Sequence, residues 1–137
     1  MKYKKNFLSN FNKKILNAVP DEISLIEPKE RKIIFMNSVI VKKYKNKKII
    51  GNNCFNSFHG INSICNECPI PKTLKTNKAS QAICINEQNG VKKYSSVTTI
   101  PIIDEDTNKK YILHTLRDVT KRKNAENNLK GMNAKII

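Results

Sequence analysis

Gln81-Ala-Ile-Cys84-Ile-Asn86, then Gln88-Asn89-Gly90, then Val91-Lys-Lys-Tyr-Ser-Ser-Val97-Thr-Thr-Ile-Pro-Ile-Ile103 is the stretch that decides the fold. Two β-rich runs flank an Asn-Gly pair, a combination that favours a tight hairpin because both central residues of such a turn need positive φ. A third run, Lys110–Leu116, follows through the acidic, turn-forming Asp104-Glu105-Asp106-Thr107-Asn108. Three long strands joined by short turns read as an antiparallel meander.

Working outward, residues 6–19 read as a helix, because Phe7, Phe11, Ile15 and Ala18 or Val19 recur at helical spacing. Pro20-Asp21 ends it. Ile23–Ile26 and Lys32–Met36 are strand-like and are joined by a turn through Glu27-Pro28-Lys29-Glu30, a second hairpin. Asn37-Ser38 is placed to cap a short helix over Val39–Tyr44, and Lys45–Lys48 reads as a solvated basic turn. Pro69-Ile70-Pro71 opens another short helix through Lys72–Lys75. Residues 119–137 read as a helix, with Ala125, Leu129, Met132 and Ile136 in a 4-3-4 stripe like the seam of a short coiled coil. The alternative for that stripe is a helix lying back on its own sheet. One α+β domain accounts for the order: a five-stranded antiparallel sheet, short helices on one face, and a helix at each end.

The chain has 137 residues and a net charge of +15, enough for one modest core. The charge invites a nucleic-acid partner. Yet arginine occurs only at Arg31, Arg117 and Arg122, and lysine is a poorer fork for phosphate and guanine. The basic residues are also spread along the chain, so nucleic acid is the weaker expectation. No apolar run is long enough to span a bilayer and no signal-peptide pattern follows the charged start, which points to a cytoplasmic protein.

Cys54-Phe-Asn-Ser-Phe-His59-Gly-Ile-Asn-Ser-Ile-Cys65-Asn-Glu-Cys68-Pro69 concentrates thiol and imidazole groups as C-x4-H-x5-C-x2-C. In a reducing compartment such clustering points to metal or redox chemistry. Cys54, His59, Cys65 and Cys68 can close a tetrahedron, which makes zinc the simplest occupant. An iron–sulfur cluster is the alternative, with Cys84 as an extra thiolate, although its mid-strand position favours packing. A reversible Cys65–Cys68 disulfide is the main rival. His114 reads as a sheet residue with a satisfied ring. Four glycines form no phosphate-cradling loop, and no catalytic constellation appears.

Val19-Pro20-Asp21-Glu22-Ile23-Ser24-Leu25-Ile26, Ile33-Ile34-Phe35-Met36-Asn37 and Ile50-Gly51 resemble the opening of a PAS domain. Arg117-Asp118-Val119-Thr120-Lys121-Arg122-Lys123 is similar to the RD(I/V)T-x-R ending of such modules. The cysteine segment resembles a C-x4-HG-x(4–6)-C-x2-CP element found in a subset of PAS modules of microbial sensor kinases and regulators. Leu74-Lys-Thr76-Asn77 resembles the L-x-T-G that follows it, with Asn77 in place of glycine. The resemblance implies a basic helical lead over 1–12, a PAS-like domain over 13–120 and a signalling helix over 121–137. It further implies a sensory module of two-component type rather than an enzyme, with an unidentified small-molecule pocket ligand. Asp118 and Thr120 would transfer the signal to the C-terminal helix, and the partner would be a second copy or a histidine kinase or regulator. The alternatives are a small zinc protein that binds nucleic acid and a CxxC redox protein.

Overall fold

The structure, a computed structural model, describes residues 8–44, 50–51 and 68–136. Its elements in chain order are α1 (Asn10–Ala18), β1 (Glu22–Glu27), β2 (Lys32–Met36), α2 (Ser38–Lys43), α3 (Ile70–Thr76), β3 (Ser80–Gln88), β4 (Val91–Asp104), β5 (Lys109–Asp118) and α4 (Thr120–Ile136). The strands form one sheet in the order β2-β1-β5-β4-β3, with every pair antiparallel. The five-stranded α+β architecture is the one the sequence predicts. The basic turn expected over Lys45–Lys48 lies outside the described residues.

Local chemistry explains the turns. Gln88 pairs with Val91 across Asn89 and Gly90, which have φ of 53° and 79°. That is the positive-φ pair a two-residue hairpin demands, and asparagine and glycine tolerate it best. Asn77 ends α3 at φ 57°, as its replacement of glycine anticipates. Ser9 starts α1 by accepting a hydrogen bond from the Asn12 N–H at 3.1 Å.

The two sheet faces divide the apolar residues by strand alternation. On the inner face Ile26, Ile33 and Ile112 meet Ile70 of α3 in a cluster with no solvent exposure, and Met36, Tyr44, Cys68 and Leu74 pack against it. On the outer face Leu25, Phe35, Tyr111 and Leu113 look toward α1. None of the residues of α1 is buried.

One expectation is corrected in detail. Asn37 stands at the N-cap of α2, but its side chain makes no cap hydrogen bond. It is buried and turned the other way. Its Oδ1 accepts from the Ile23 N–H at 3.1 Å, while its Nδ2 donates to the Leu16 and Asp21 carbonyls at 3.1 and 2.8 Å. The carboxamide thus satisfies the backbone where α1 turns into β1, a demand stronger than that of a six-residue helix.

Candidate functional site

Three structural features converge on the central strands. The first is a row of polar residues across the inner face. Ser24 of β1 lies opposite His114 of β5, His114 opposite Thr99 of β4, and Thr99 opposite Ser80 of β3. All four are buried. Apolar residues lie two positions along on the same face, Ile26, Ile112 and Val97, so the row is a polar belt in an apolar surface. Burying hydroxyls and an imidazole is costly unless each finds a partner.

Thr99 finds one in Thr73 of α3. Their hydroxyl oxygens lie 2.6 Å apart, and Thr73 Oγ1 is also 3.2 Å from the Thr99 carbonyl. When the Thr73 hydroxyl donates to that carbonyl, the Thr99 hydroxyl donates back to Thr73. One pair of hydroxyls thereby clamps α3 onto β4. Ser24 Oγ, fully buried, has no hydrogen-bond partner among the described residues. His114 sits in the sheet, as expected from its strand setting.

The second feature is the cysteine segment, of which Cys68 is described. Cys54, His59 and Cys65 lie outside the described residues. Cys68 is half-buried against the isoleucine cluster, just ahead of α3. Burial pushes its thiol above the usual range, opposed by the Ile70 N–H donating to the sulfur and by the charge of Arg31. Arg31 is itself buried in the β1–β2 turn at φ 63°, and its Nη1 donates to the Pro28 carbonyl. Among the described residues no group of three or more His, Cys, Asp or Glu side chains is arranged to hold a metal. Cys84 is half-buried on the edge strand β3.

The third feature is the exit from the sheet. Asp118 Oδ1 accepts from the Thr120 N–H at 2.9 Å, an Asx turn that starts α4. The Thr120 hydroxyl accepts from the Tyr94 N–H at 3.0 Å, and the Val119 N–H donates to the Tyr94 carbonyl at 2.8 Å. Val119 is buried. The first turn of α4 is therefore bonded to β4 as well as continuous with β5. One residue earlier, Arg117 holds Asp21, at the entry to β1, through two hydrogen bonds. The side chains of Thr120 and then its N–H hold the Asp118 carboxyl below the ordinary carboxylate range, helped by Lys93 and Lys43.

Beyond its first turn α4 points the described part of its stripe at solvent. Ala125 and Leu129 are exposed, so these two do not lie back on the sheet. The side chains of Met132 and Ile136 lie outside the described residues. No helix among the described residues is long and apolar enough to cross a membrane.

An antiparallel sheet in this order, with short helices on its inner face and a helix launched from the last central strand, defines the α+β class of the protein. The chain belongs to the PAS domain family, whose model matches residues 20–121. Its structure is similar to an RNA-binding light-oxygen-voltage receptor, with a TM-score of 0.68 and 13% identity over 96% of this chain. The chain spans only 38% of that receptor's length. It is also similar to the PAS domain of BvgS from Bordetella pertussis, with a TM-score of 0.56, 15% identity, and coverage of 90% of this chain and 96% of that one. A further likeness is to the PAS domain of nitrogen regulation protein NR(II) from Vibrio parahaemolyticus, with a TM-score of 0.59, 13% identity, and coverage of 80% and 99%. No curated protein matches the chain by sequence.

The polar belt, of which the sequence reading named His114 alone and only as a sheet residue, carries one signature. Ser24, Thr99 and His114 are polar residues at inward positions of strands, where alternation calls for apolar ones. Counting along each strand by twos from Ile26, Val97 and Ile112 is enough to mark them. The Asp21–Arg117 pair carries no such signal, because only the sheet order brings β1 beside β5.

Proposed function

We propose that this PAS domain is a sensory module that relays the state of its core through Asp118 and Thr120 into α4. The observation that carries the reading is the exit junction. His114 and Thr99 lie opposite each other inside the core, and the same two strands end at the bonds joining Asp118, Thr120 and Tyr94. A change in the spacing of β4 and β5 at the polar belt therefore acts on the first turn of α4. The output is taken up by a second copy or by a signalling protein of kinase or regulator type.

The cysteine segment belongs to the same reading. Cys54, His59, Cys65 and Cys68 are the residues that would hold a metal, with zinc the ion suited to three thiolates and one imidazole. The donor chemistry fits: Cys68 stands at the edge of the isoleucine core, where the Ile70 N–H and the Arg31 charge support a thiolate against the larger, opposing effect of burial. A bound zinc ion supplies a cross-link with no open coordination position. Cys68 would transmit that cross-link to α3, and the Thr73–Thr99 pair would carry it on to β4.

The test is metal content together with stability. Anaerobically purified protein is expected to hold about one zinc per chain with a featureless visible spectrum. Serine at Cys65 or Cys68 should release it and lower the melting temperature. Unchanged metal content and melting in both variants exclude the metal reading. A coloured, iron-containing protein replaces zinc with an iron–sulfur cluster.

A further inference from the structure

Between α1 and the outer face of the sheet runs a groove of about 530 Å³. Its floor includes Phe35, Ile102, Tyr111 and Leu113, and Ile15 and Leu16 of α1 form its roof. Small-molecule sites span about 300–1,000 Å³, so the size is that of a ligand site. The roof does not close on the floor. No residue of α1 is buried, and Ile15 and Ile102 stay 48% and 38% exposed although both line the groove. The helix is tied at its C-terminal end, where the Ser38 N–H donates to Asn17 Oδ1 at 2.8 Å and Asn37 donates to the Leu16 carbonyl at 3.1 Å. Apolar surface is thus left in water on both sides of one cleft, surface that the hydrocarbon of a ligand would cover.

Charge selects the kind of ligand. Asp104 and Asp106 line the same groove, in a chain of net charge +15. Neither carboxylate makes an ion pair among the described residues. Lys109 stands opposite Asp104 in the β4–β5 register, yet it forms none either. Asp104 Oδ1 accepts from the Asp106 N–H at 3.0 Å, so the turn keeps the two acidic residues together. Two carboxylates beside apolar surface repel an anion and draw a cation.

We infer that this outer-face groove binds an amphipathic cation: an apolar body lies between Ile15 and the Phe35–Leu113 floor, and an ammonium head meets Asp104 and Asp106. The site is on the opposite face of the sheet from the isoleucine cluster and the polar belt. It does not depend on metal in the cysteine segment. A ligand held there joins α1 to β4 and β5, the two strands bonded to the start of α4.

The experiment is calorimetric and methyl-NMR titration of the full chain with octyltrimethylammonium, kept below its micelle concentration, against octanol, octanoate and tetramethylammonium. Octyltrimethylammonium is expected to bind about fivefold tighter than octanol. Octanoate and tetramethylammonium should bind more weakly than either, whereas non-specific attraction to so basic a chain would favour octanoate. The methyl signals of Ile102 and Leu113 should shift, and those of Ile26, Ile70 and Ile112 should not. The double variant Asp104→Asn, Asp106→Asn should lose the preference over octanol with its melting temperature unchanged, and Ile102→Ser should weaken both tailed ligands. No binding, octanoate binding as tightly as the cation, or a preference that survives the double variant overturns the proposal. So do shifts confined to the inner-face methyls. A dimer in sedimentation that octyltrimethylammonium dissociates would give the groove to a second copy and overturn it too.

Discussion

Arg117 and Asp21, ninety-six positions apart in the chain, are joined by a two-pronged contact: Nε to Oδ1 at 3.0 Å and Nη2 to Oδ2 at 2.9 Å. Asp21 follows α1 and Arg117 precedes α4, so one ion pair fastens the two helices' roots to each other across neighbouring strands β1 and β5. The Arg117 side chain is largely solvent-exposed, and solvent weakens such a pair. Its effect is therefore positional more than energetic. Arg117→Ala should leave the melting temperature nearly unchanged while speeding amide exchange around Glu22 and Val119. Equal exchange in the two proteins would show that the pair holds neither root.

Asn37 makes the opposite kind of contribution. Alanine there strands the Ile23 N–H and the Leu16 and Asp21 carbonyls in a buried place. A stability loss of about 3 kcal/mol is expected, on the scale of one to a few unsatisfied buried groups. For a domain of this size that corresponds to a fall in melting temperature of about 10 °C. Denaturant titration checks it; a loss below about 1 kcal/mol contradicts the assigned bonds.

The Thr73–Thr99 pair calls for a double-mutant cycle. Thr73→Val leaves the buried Thr99 hydroxyl without its partner and should cost about 1–2 kcal/mol, whereas Thr99→Val leaves Thr73 its bond to the residue-99 carbonyl and should cost less. Together they put two methyls where two hydroxyls met, so the double variant should cost clearly less than the sum. Strict additivity would show that the hydroxyls do not bond each other.

Much of this was legible in the residues. Asn89-Gly90 located the hairpin through the backbone preferences of two adjacent residues, and the likeness of Arg117–Lys123 to a PAS ending located the hand-over to α4. What was not legible depends on elements meeting in space. Asn37 read as a helix cap because local rules reward asparagine there, yet the end of α1 and the start of β1, fourteen to twenty-one positions earlier, compete for the same carboxamide. Likewise the strand alternation was readable, but that Ser24, His114 and Thr99 share one row follows only from the order β1-β5-β4.

Asp118 supplies a pH signature. Its folded carboxyl titrates below its unfolded value, since the Thr120 hydroxyl and N–H stabilise the anion. Its contribution is accordingly present above the unfolded value and is lost as pH falls through the lower, folded one. NMR titration of the Thr120 amide should show a midpoint below the ordinary aspartate range. Thr120→Ala should move that midpoint upward. A midpoint at the ordinary value in the parent would break the link between the two residues.

The most direct test of the relay is amide exchange at Val119 and Thr120, measured with zinc-loaded protein and again after chelation. The proposed relay predicts faster exchange at both amides once the metal is removed, with Thr73→Val suppressing the change by uncoupling α3 from β4. Identical protection at Val119 and Thr120 in loaded and chelated protein would contradict it.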